Sequence, residues 1–468
     1  MELSDANIRT LFTDAADFNT RQLLCSGHTL YIYAIDGLTS GDAISEFVVK
    51  PIREQLNGET VTALYEDALR GAVFNSVAKP CPDLDAAANF LVNGFCVVLF
   101  PGAGAIAFET KTGEKRSISP PDLENTAKGA KDAFAETIRT NTSLVRRHLR
   151  TPDLRLYETK VGRRSLTNVC VLWIDGITNP EYVRRMKRRL ESIDTDGFLS
   201  PAAVEEAVTG SRFTAFPMLQ YTERTDRFCQ GLMDGRVGLI VDGIPVGYLV
   251  PVDIGYLMNS QEDLSRDFVS ATAVRILRYT ALLFDLLMPA LYVAMTTYHW
   301  NLIPASLTQV IAQGREGVPF SPIWEILMLL IAFELLQESG IHLPQNIGQS
   351  VSIIGGIVVG TVGVEAGLIS SIALITVSIA GVCGFVLPNR DLAAAIRVWR
   401  FFLAALAAVA GLTGVGIGVA ILLIRLAILR SLGLPYLRPF ESGLLRSRLK
   451  KDRFRSPKLH PRDFKKKP

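Results

Sequence analysis

Cysteine is sparse in this 468-residue chain, and what there is follows no pattern. The six thiols, Cys25, Cys81, Cys96, Cys170, Cys229 and Cys383, include no Cys-x-x-Cys pair, and only five histidines accompany them. The usual zinc spacings and a disulfide framework are excluded, which leaves free thiols in a reducing compartment. A phosphate-binding loop is also missing, because Pro101-Gly-Ala-Gly104 has no Lys-Ser/Thr after it. Net charge is low at +3, too little to suit nucleic acid along the whole chain. Residues 1–27 lack an apolar segment of the signal-peptide kind. No serine–histidine–aspartate set stands out, so neither an enzyme nor a cofactor is expected.

Long apolar runs are nearly absent before residue 278 and dominate after it, although 20% of the chain is charged. That segregation predicts a soluble first half and a membrane-embedded second half. About 270 residues precede the first candidate span and are expected to stay cytosolic.

The soluble half reads as a duplication. Leu30-Tyr-Ile-Tyr-Ala-Ile-Asp36-Gly37 matches Val169-Cys-Val-Leu-Trp-Ile-Asp175-Gly176, and each is followed by a helical stretch, 44–56 and 180–193. At nearly the same offset, Leu91-Val-Asn-Gly94 leads into an apolar β run as Leu232-Met-Asp-Gly235 does. Asn-Gly and Asp-Gly supply the positive φ of tight turns. Residues 24–111 and 163–255 are therefore two copies of one small α/β unit, with an Ala-rich helical linker near 121–148. Asp36, Asp175 and Asp242 precede glycines at strand ends, which is turn chemistry before it is catalysis. Asp194-Thr-Asp196-Gly197 with Glu205 fails as a calcium loop, since its glycine stands fourth where the sixth is needed.

In the second half, residues 279–298 are long enough to cross a bilayer of ~30 Å and follow Arg266, Arg275 and Arg278. Residues 323–336 form a shorter apolar helix with Glu325 and Glu334, of re-entrant or interfacial character. The 350–387 run is too long for one span, and Glu365-Ala-Gly367 marks its bend. A last run covers 398–429. From Arg446 to Lys467 eleven Lys or Arg face two Asp, so the tail is expected to be cytosolic. An even number of crossings follows, with four preferred.

The domain reading is thus 1–118 for the first α/β subdomain, 119–160 for the linker and 161–258 for the second subdomain. An all-α polytopic bundle covers 259–440 and a basic tail 441–468, which could also bind anionic lipid. Gly356, Gly360, Gly363 and Gly367 recur at helical spacing, as do Gly411, Gly414 and Gly418, and small-residue stripes let membrane helices or subunits approach closely. Ser350, Thr361 and Glu365 lie opposite the first stripe, Glu365 about 180° from Gly356. An ionised carboxylate facing lipid costs roughly 2.5 kcal/mol or more, so Glu365 should face protein or water, or mark the interfacial end of a helix hairpin. With Glu334 and Glu338 it is a candidate for a cation path or gate.

Several blocks in order make the chain recognisable. They include Gly235-Arg-Val-Gly-Leu-Ile-Val-Asp-Gly-Ile-Pro245, Pro289-Ala-Leu-Tyr-Val-Ala294, Ile341-His-Leu-Pro344 and Val351-Ser-Ile-Ile-Gly-Gly356. Further on come Pro388-Asn-Arg-Asp391, Ala395-Ile-Arg-Val-Trp-Arg-Phe401 and Leu434-Pro-Tyr-Leu-Arg-Pro439. In these the chain resembles the A subunit of the GerA family of spore germinant receptors. It departs from the family at Thr225, where proline is usual, and over Gln337-Glu-Ser-Gly340. The resemblance implies a multi-pass protein of the endospore inner membrane. It also implies a transporter-like B subunit and a C-type lipoprotein as partners, and homo-oligomerisation into a channel for monovalent cations. A non-conducting scaffold, a transporter component and a sporulation-specific paralogue are the competing readings.

Overall fold

The computed structural model describes residues 3–73, 75–112, 121, 124, 129–198, 200–210, 214–342, 356 and 358–438. Ser350 and the basic tail lie outside the described residues. The described residues divide into two compact units, one holding those up to 210 and 218–251, the other 214–217 and those of 252–438.

The first unit contains two five-stranded antiparallel sheets of identical topology. In the first copy, strands β1 (Phe18–Cys25), β2 (His28–Ile35), β3 (Ala78–Cys81), β4 (Phe95–Phe100) and β5 (Gly104–Glu109) lie in the order β1-β2-β4-β5-β3. In the second, β6 (Leu154–Val161), β7 (Thr167–Ile174), β8 (Gln220–Thr222), β9 (Val237–Val241) and β10 (Gly247–Val250) lie in the order β6-β7-β9-β10-β8. Even the backbone torsions repeat. Gly37 and Gly176 have φ of 81° and 75°, and Gly94 and Gly235 have 83° and 89°. A Cβ at Gly37 would also stand 3.0 Å from the Cβ of Ser143, so this corner needs glycine twice over.

Every residue of β4, a continuous apolar run, is buried. A strand covered on both faces has no use for alternation. One face of the first sheet packs under α1 (Asp5–Leu11) and α2 (Leu84–Val92) through Ile8, Phe12, Leu84 and Leu91. The other packs under helical segments 41–55 and 61–72 through Val48, Ile52, Leu64 and Ala68.

Between the copies, the helix among the described residues is α3 (Ile138–His148). The preceding stretch runs extended, with the Phe134 N–H donating to the Glu223 carbonyl and the Phe134 ring edge-on to Phe228 at 5.2 Å. Burial of that ring outweighs the alanine content from which a longer helix was expected. The Asp-Gly corners serve α3 and their own turns. Asp242 accepts the Ile138 N–H at 2.9 Å, Asp36 pairs with Arg139 at 3.3 Å, and Asp175 accepts from Gly176 at 3.1 Å. Deeper in, Arg146 of α3 grips Asp17 with two bonds of 2.8 Å, both side chains essentially inaccessible.

The second unit is helical. It contains α6 (Phe268–Thr297), α7 (Ala305–Gly314), α8 (Pro322–His342), a short helical stretch over 358–365, α9 (Ser371–Phe385) and α10 (Arg390–Ile428). Helices α4 (Pro180–Ser192) and α5 (Thr225–Met233) belong to the second copy in the first unit. At 21 residues, α8 is longer than the expected 323–336 and spans about 31 Å at 1.5 Å per residue. Gly367 turns the chain with φ of 66° between 358–365 and α9.

α10 reverses on itself. Ala410 and Gly411 leave helical geometry, Gly411 with φ of 59°. A Cβ on Gly414 would collide with the Leu406 carbonyl, and one on Gly418 with the Leu403 side chain. Residues fifteen apart in a straight helix stand about 22 Å apart, so 390–409 and 412–428 are antiparallel arms of a hairpin. The expected single run over 398–429 is two helices, because one glycine in a left-handed conformation permits a turn that no polar or proline signal announces.

Candidate functional site

Buried charge in an apolar bundle needs a partner, so charges locate the site. Arg275 and Arg278, at the start of α6, both reach Asp263, at 3.1 and 2.7 Å. Asp285, two turns further along and fully buried, therefore cannot use them. It pairs instead with Arg400 of α10 at 2.7 Å. The other terminal nitrogen of Arg400 donates to Glu334 of α8 at 3.2 Å. Arg397, one turn before Arg400, stands 3.6 Å from the same Glu334 oxygen and donates to Gln337.

Two carboxylates and two guanidiniums thus tie α6, α8 and α10 into one neutral cluster, with Arg400 at its centre and 1% exposed. Arginine suits this position because its planar fork reaches two acids at once. Asp285 Oδ2 and the Nε of Arg400 have no hydrogen-bond partner among the described residues. Gly384 of α9 lies against that oxygen, and a Cβ there would approach it to 3.0 Å.

A second buried carboxylate, Glu325, accepts the Ser370 N–H at the start of α9. Ser370 caps α9 through the Ala373 N–H at 3.2 Å and meets the Tyr292 hydroxyl at 3.3 Å. An anion at a helix N-terminus is stabilised by the exposed amides and the helix dipole.

Of the residues singled out in the sequence, Glu334 joins the cluster and Glu338, one turn on, is exposed. Thr361 and Glu365 are exposed on the 358–365 stretch, as are nearby Val362 and Leu368. Among the described residues, no heavy atom lies within 4 Å of a would-be Cβ on Gly356, and one on Gly360 would meet Leu374 at 3.6 Å. Gly411 sits tightly, 2.7 Å from His299 by the same measure, while the Tyr298 hydroxyl donates to the Ala408 carbonyl at 2.8 Å. Asp285, Arg400 and Glu325 were missed as a site. Their signal was present: single charges inside long apolar runs, which require partners wherever those lie in the sequence.

Tandem α/β copies, helices long and apolar enough to cross a bilayer and an ion cluster inside the bundle define a membrane protein with a large α/β region. The chain belongs to the family described as Bacillus/Clostridium GerA spore germination protein, whose model matches residues 6–463. Spore germination protein A1 of Bacillus subtilis is 31% identical over 90% of this chain and 86% of its own. Spore germination protein KA of the same organism is 33% identical over 88% and 76%. The uncharacterized membrane protein YfkQ, also of B. subtilis, is 34% identical over 92% and 84%. Among solved structures, the N-terminal domain of the A subunit of the Bacillus megaterium spore germinant receptor GerK3 is 25% identical. That match covers 53% of this chain and 92% of that one, with a TM-score of 0.41.

Proposed function

We propose that the chain is the A-type membrane subunit of a nutrient germinant receptor, and that several copies assemble into a ligand-gated channel for monovalent cations. A transporter-like B subunit and a C-type lipoprotein complete the receptor in the endospore inner membrane. The first unit and the C-terminal tail lie on the cytosolic side. Family membership and relatives such as spore germination proteins A1 and KA support the receptor role.

One observation carries the conducting role. Glu365 is exposed on an apolar stretch whose neighbours Val362 and Leu368 are exposed too. Facing lipid, its carboxylate would cost about 2.5 kcal/mol or more. A water-filled path enclosed by several copies removes that cost and gives Thr361 and Glu365 a lining role, with the carboxylate favouring cations. Gly356 and Gly360 then form part of the contact between copies, where small residues permit close approach.

Germinant-triggered potassium and sodium efflux from liposomes holding the purified receptor tests this reading. Glu365→Gln is expected to lower cation flux several-fold and to weaken the preference for cations over anions. Unchanged flux and selectivity would remove Glu365 from the path. Absence of any current from the wild-type complex would leave the chain a non-conducting scaffold.

A further inference from the structure

The duplication supplies an internal comparison that isolates a surface feature from the needs of the fold. Helix α4 follows β7 in the second copy as segment 41–55 follows β2 in the first. Each covers its own sheet, α4 through Tyr182, Val183, Met186 and Leu190. Their outward charges differ in sign. Segment 41–55 carries Asp42, Glu46 and Glu54 against Lys50 and Arg53, a net charge of −1. α4 carries Arg184, Arg185, Lys187, Arg188 and Arg189 against Glu181 and Glu191, a net charge of +3. Because the first copy folds with an acidic helix here, the basic face is not a requirement of the architecture.

Several of these cations are already engaged. Arg185 pairs with Glu181 at 2.7 Å, Arg189 donates to the Val208 carbonyl, and Lys187 lies over the rings of Tyr157 and Trp173 at 4.3 and 4.8 Å. Arg184 and Arg188 remain. They are exposed, one turn apart on the same face, with no carboxylate within ion-pair distance among the described residues; the Nε of Arg188 donates to the Arg184 carbonyl at 3.4 Å, which leaves its terminal nitrogens to solvent. The apolar face of α4 is spent on its own sheet, so the helix cannot insert into a bilayer in the manner of an amphipathic anchor. What it offers is an electrostatic surface whose two exposed guanidiniums keep their terminal nitrogens outward, the group best shaped to grip phosphate.

We infer that the outer face of α4, led by Arg184 and Arg188, docks on the anionic phospholipid headgroups of the membrane that holds the second unit. The covalent link between the units favours this occupant over any free polyanion, because tethering raises the effective concentration of the surface. Docking is superficial, salt-sensitive and reversible. It constrains the first unit through its second copy only.

The test uses the full chain in nanodiscs of zwitterionic lipid, with and without phosphatidylglycerol. A fluorophore is placed at exposed Ser192→Cys, and a quencher on the lipid headgroups. Quenching is expected to rise with phosphatidylglycerol content and to fall at 0.5 M salt. A cationic residue near an anionic surface contributes about 1 kcal/mol, roughly fivefold, so Arg184→Gln with Arg188→Gln should lower the docked-to-free ratio about 25-fold. Arg184→Lys with Arg188→Lys should keep most of it. A probe at Gln55→Cys on segment 41–55 should not respond to phosphatidylglycerol. Quenching that ignores lipid charge overturns the inference. So does a response to lipid charge that survives the double glutamine variant, which would assign it to the basic tail. Docking that appears only when an acidic protein partner is added overturns it as well. None of these outcomes depends on whether the chain conducts ions.

Discussion

Replacing Arg400 with methionine is expected to destabilise the membrane unit by roughly 3–5 kcal/mol. The cost arises less from the lost bonds than from what they leave behind. Asp285 is fully buried, and its other oxygen already has no partner among the described residues, so removing Arg400 strands a carboxylate inside an apolar bundle. Glu334 suffers less, because it is about one-third exposed and keeps Arg397 at 3.6 Å. Single variants should therefore rank Arg400→Met and Asp285→Ala as severe and Arg397→Met as mild. The pair Asp285→Leu with Arg400→Met should recover much of the loss, since replacing a buried ion pair by apolar groups is often close to neutral. Thermal unfolding in detergent, read as a double-mutant cycle, measures these differences. Additive losses would mean that Asp285 and Arg400 do not interact. The recovered double variant also separates stability from gating. If it is stable but no longer releases cations on germinant, the cluster has a role in opening beyond holding α6, α8 and α10 together.

How much of this was legible in the sequence depends on the range of the cause. The duplication was readable because its marks are local: Asp-Gly and Asn-Gly corners fix positive φ whatever surrounds them, and apolar runs such as Phe95–Phe100 advertise buried strands. The direct link from Asp285 to Arg400 was not readable, because 115 positions separate partners that only packing brings together. The cation on the same helical face, Arg278, stands two turns away, and its guanidinium is engaged by Asp263. The full length of α8 was obscured by Glu334 and Glu325, which with the short apolar run over 323–336 gave it a re-entrant or interfacial character. In the structure Arg397 and Arg400 neutralise the first of them. Content misled at the linker too, where alanines favour helix but the buried Phe134 holds the chain extended.

The reversal within α10 was hidden for a different reason, and it yields the second large prediction. Gly411, Gly414 and Gly418 fit one helical stripe, which suggests a continuous helix packing against a neighbour. A straight 39-residue helix would run about 58 Å, nearly twice a bilayer core of ~30 Å. The two arms of 390–409 and 412–428 run about 30 and 26 Å, each close to one crossing. Their closeness depends on Gly414, where any Cβ meets the Leu406 carbonyl, a backbone atom that cannot rotate away. Gly414→Leu is therefore expected to cost about 3 kcal/mol, at the upper end of overpacking losses, and Gly414→Ala less. Gly416, two residues on, has no atom of the described residues within 4 Å of a would-be Cβ. Gly416→Ala should be neutral or slightly stabilising, since alanine favours helix over glycine. The topology can be read on a Cys383→Ser background with a membrane-impermeant maleimide. Arg390→Cys and Ile428→Cys should react from the same side of sealed vesicles and Val409→Cys from the other, all three positions being exposed in the chain. Labelling of 390 and 428 from opposite sides would mean a single crossing, and the close approach of Gly418 to Leu403 would then have no place in the membrane-embedded protein.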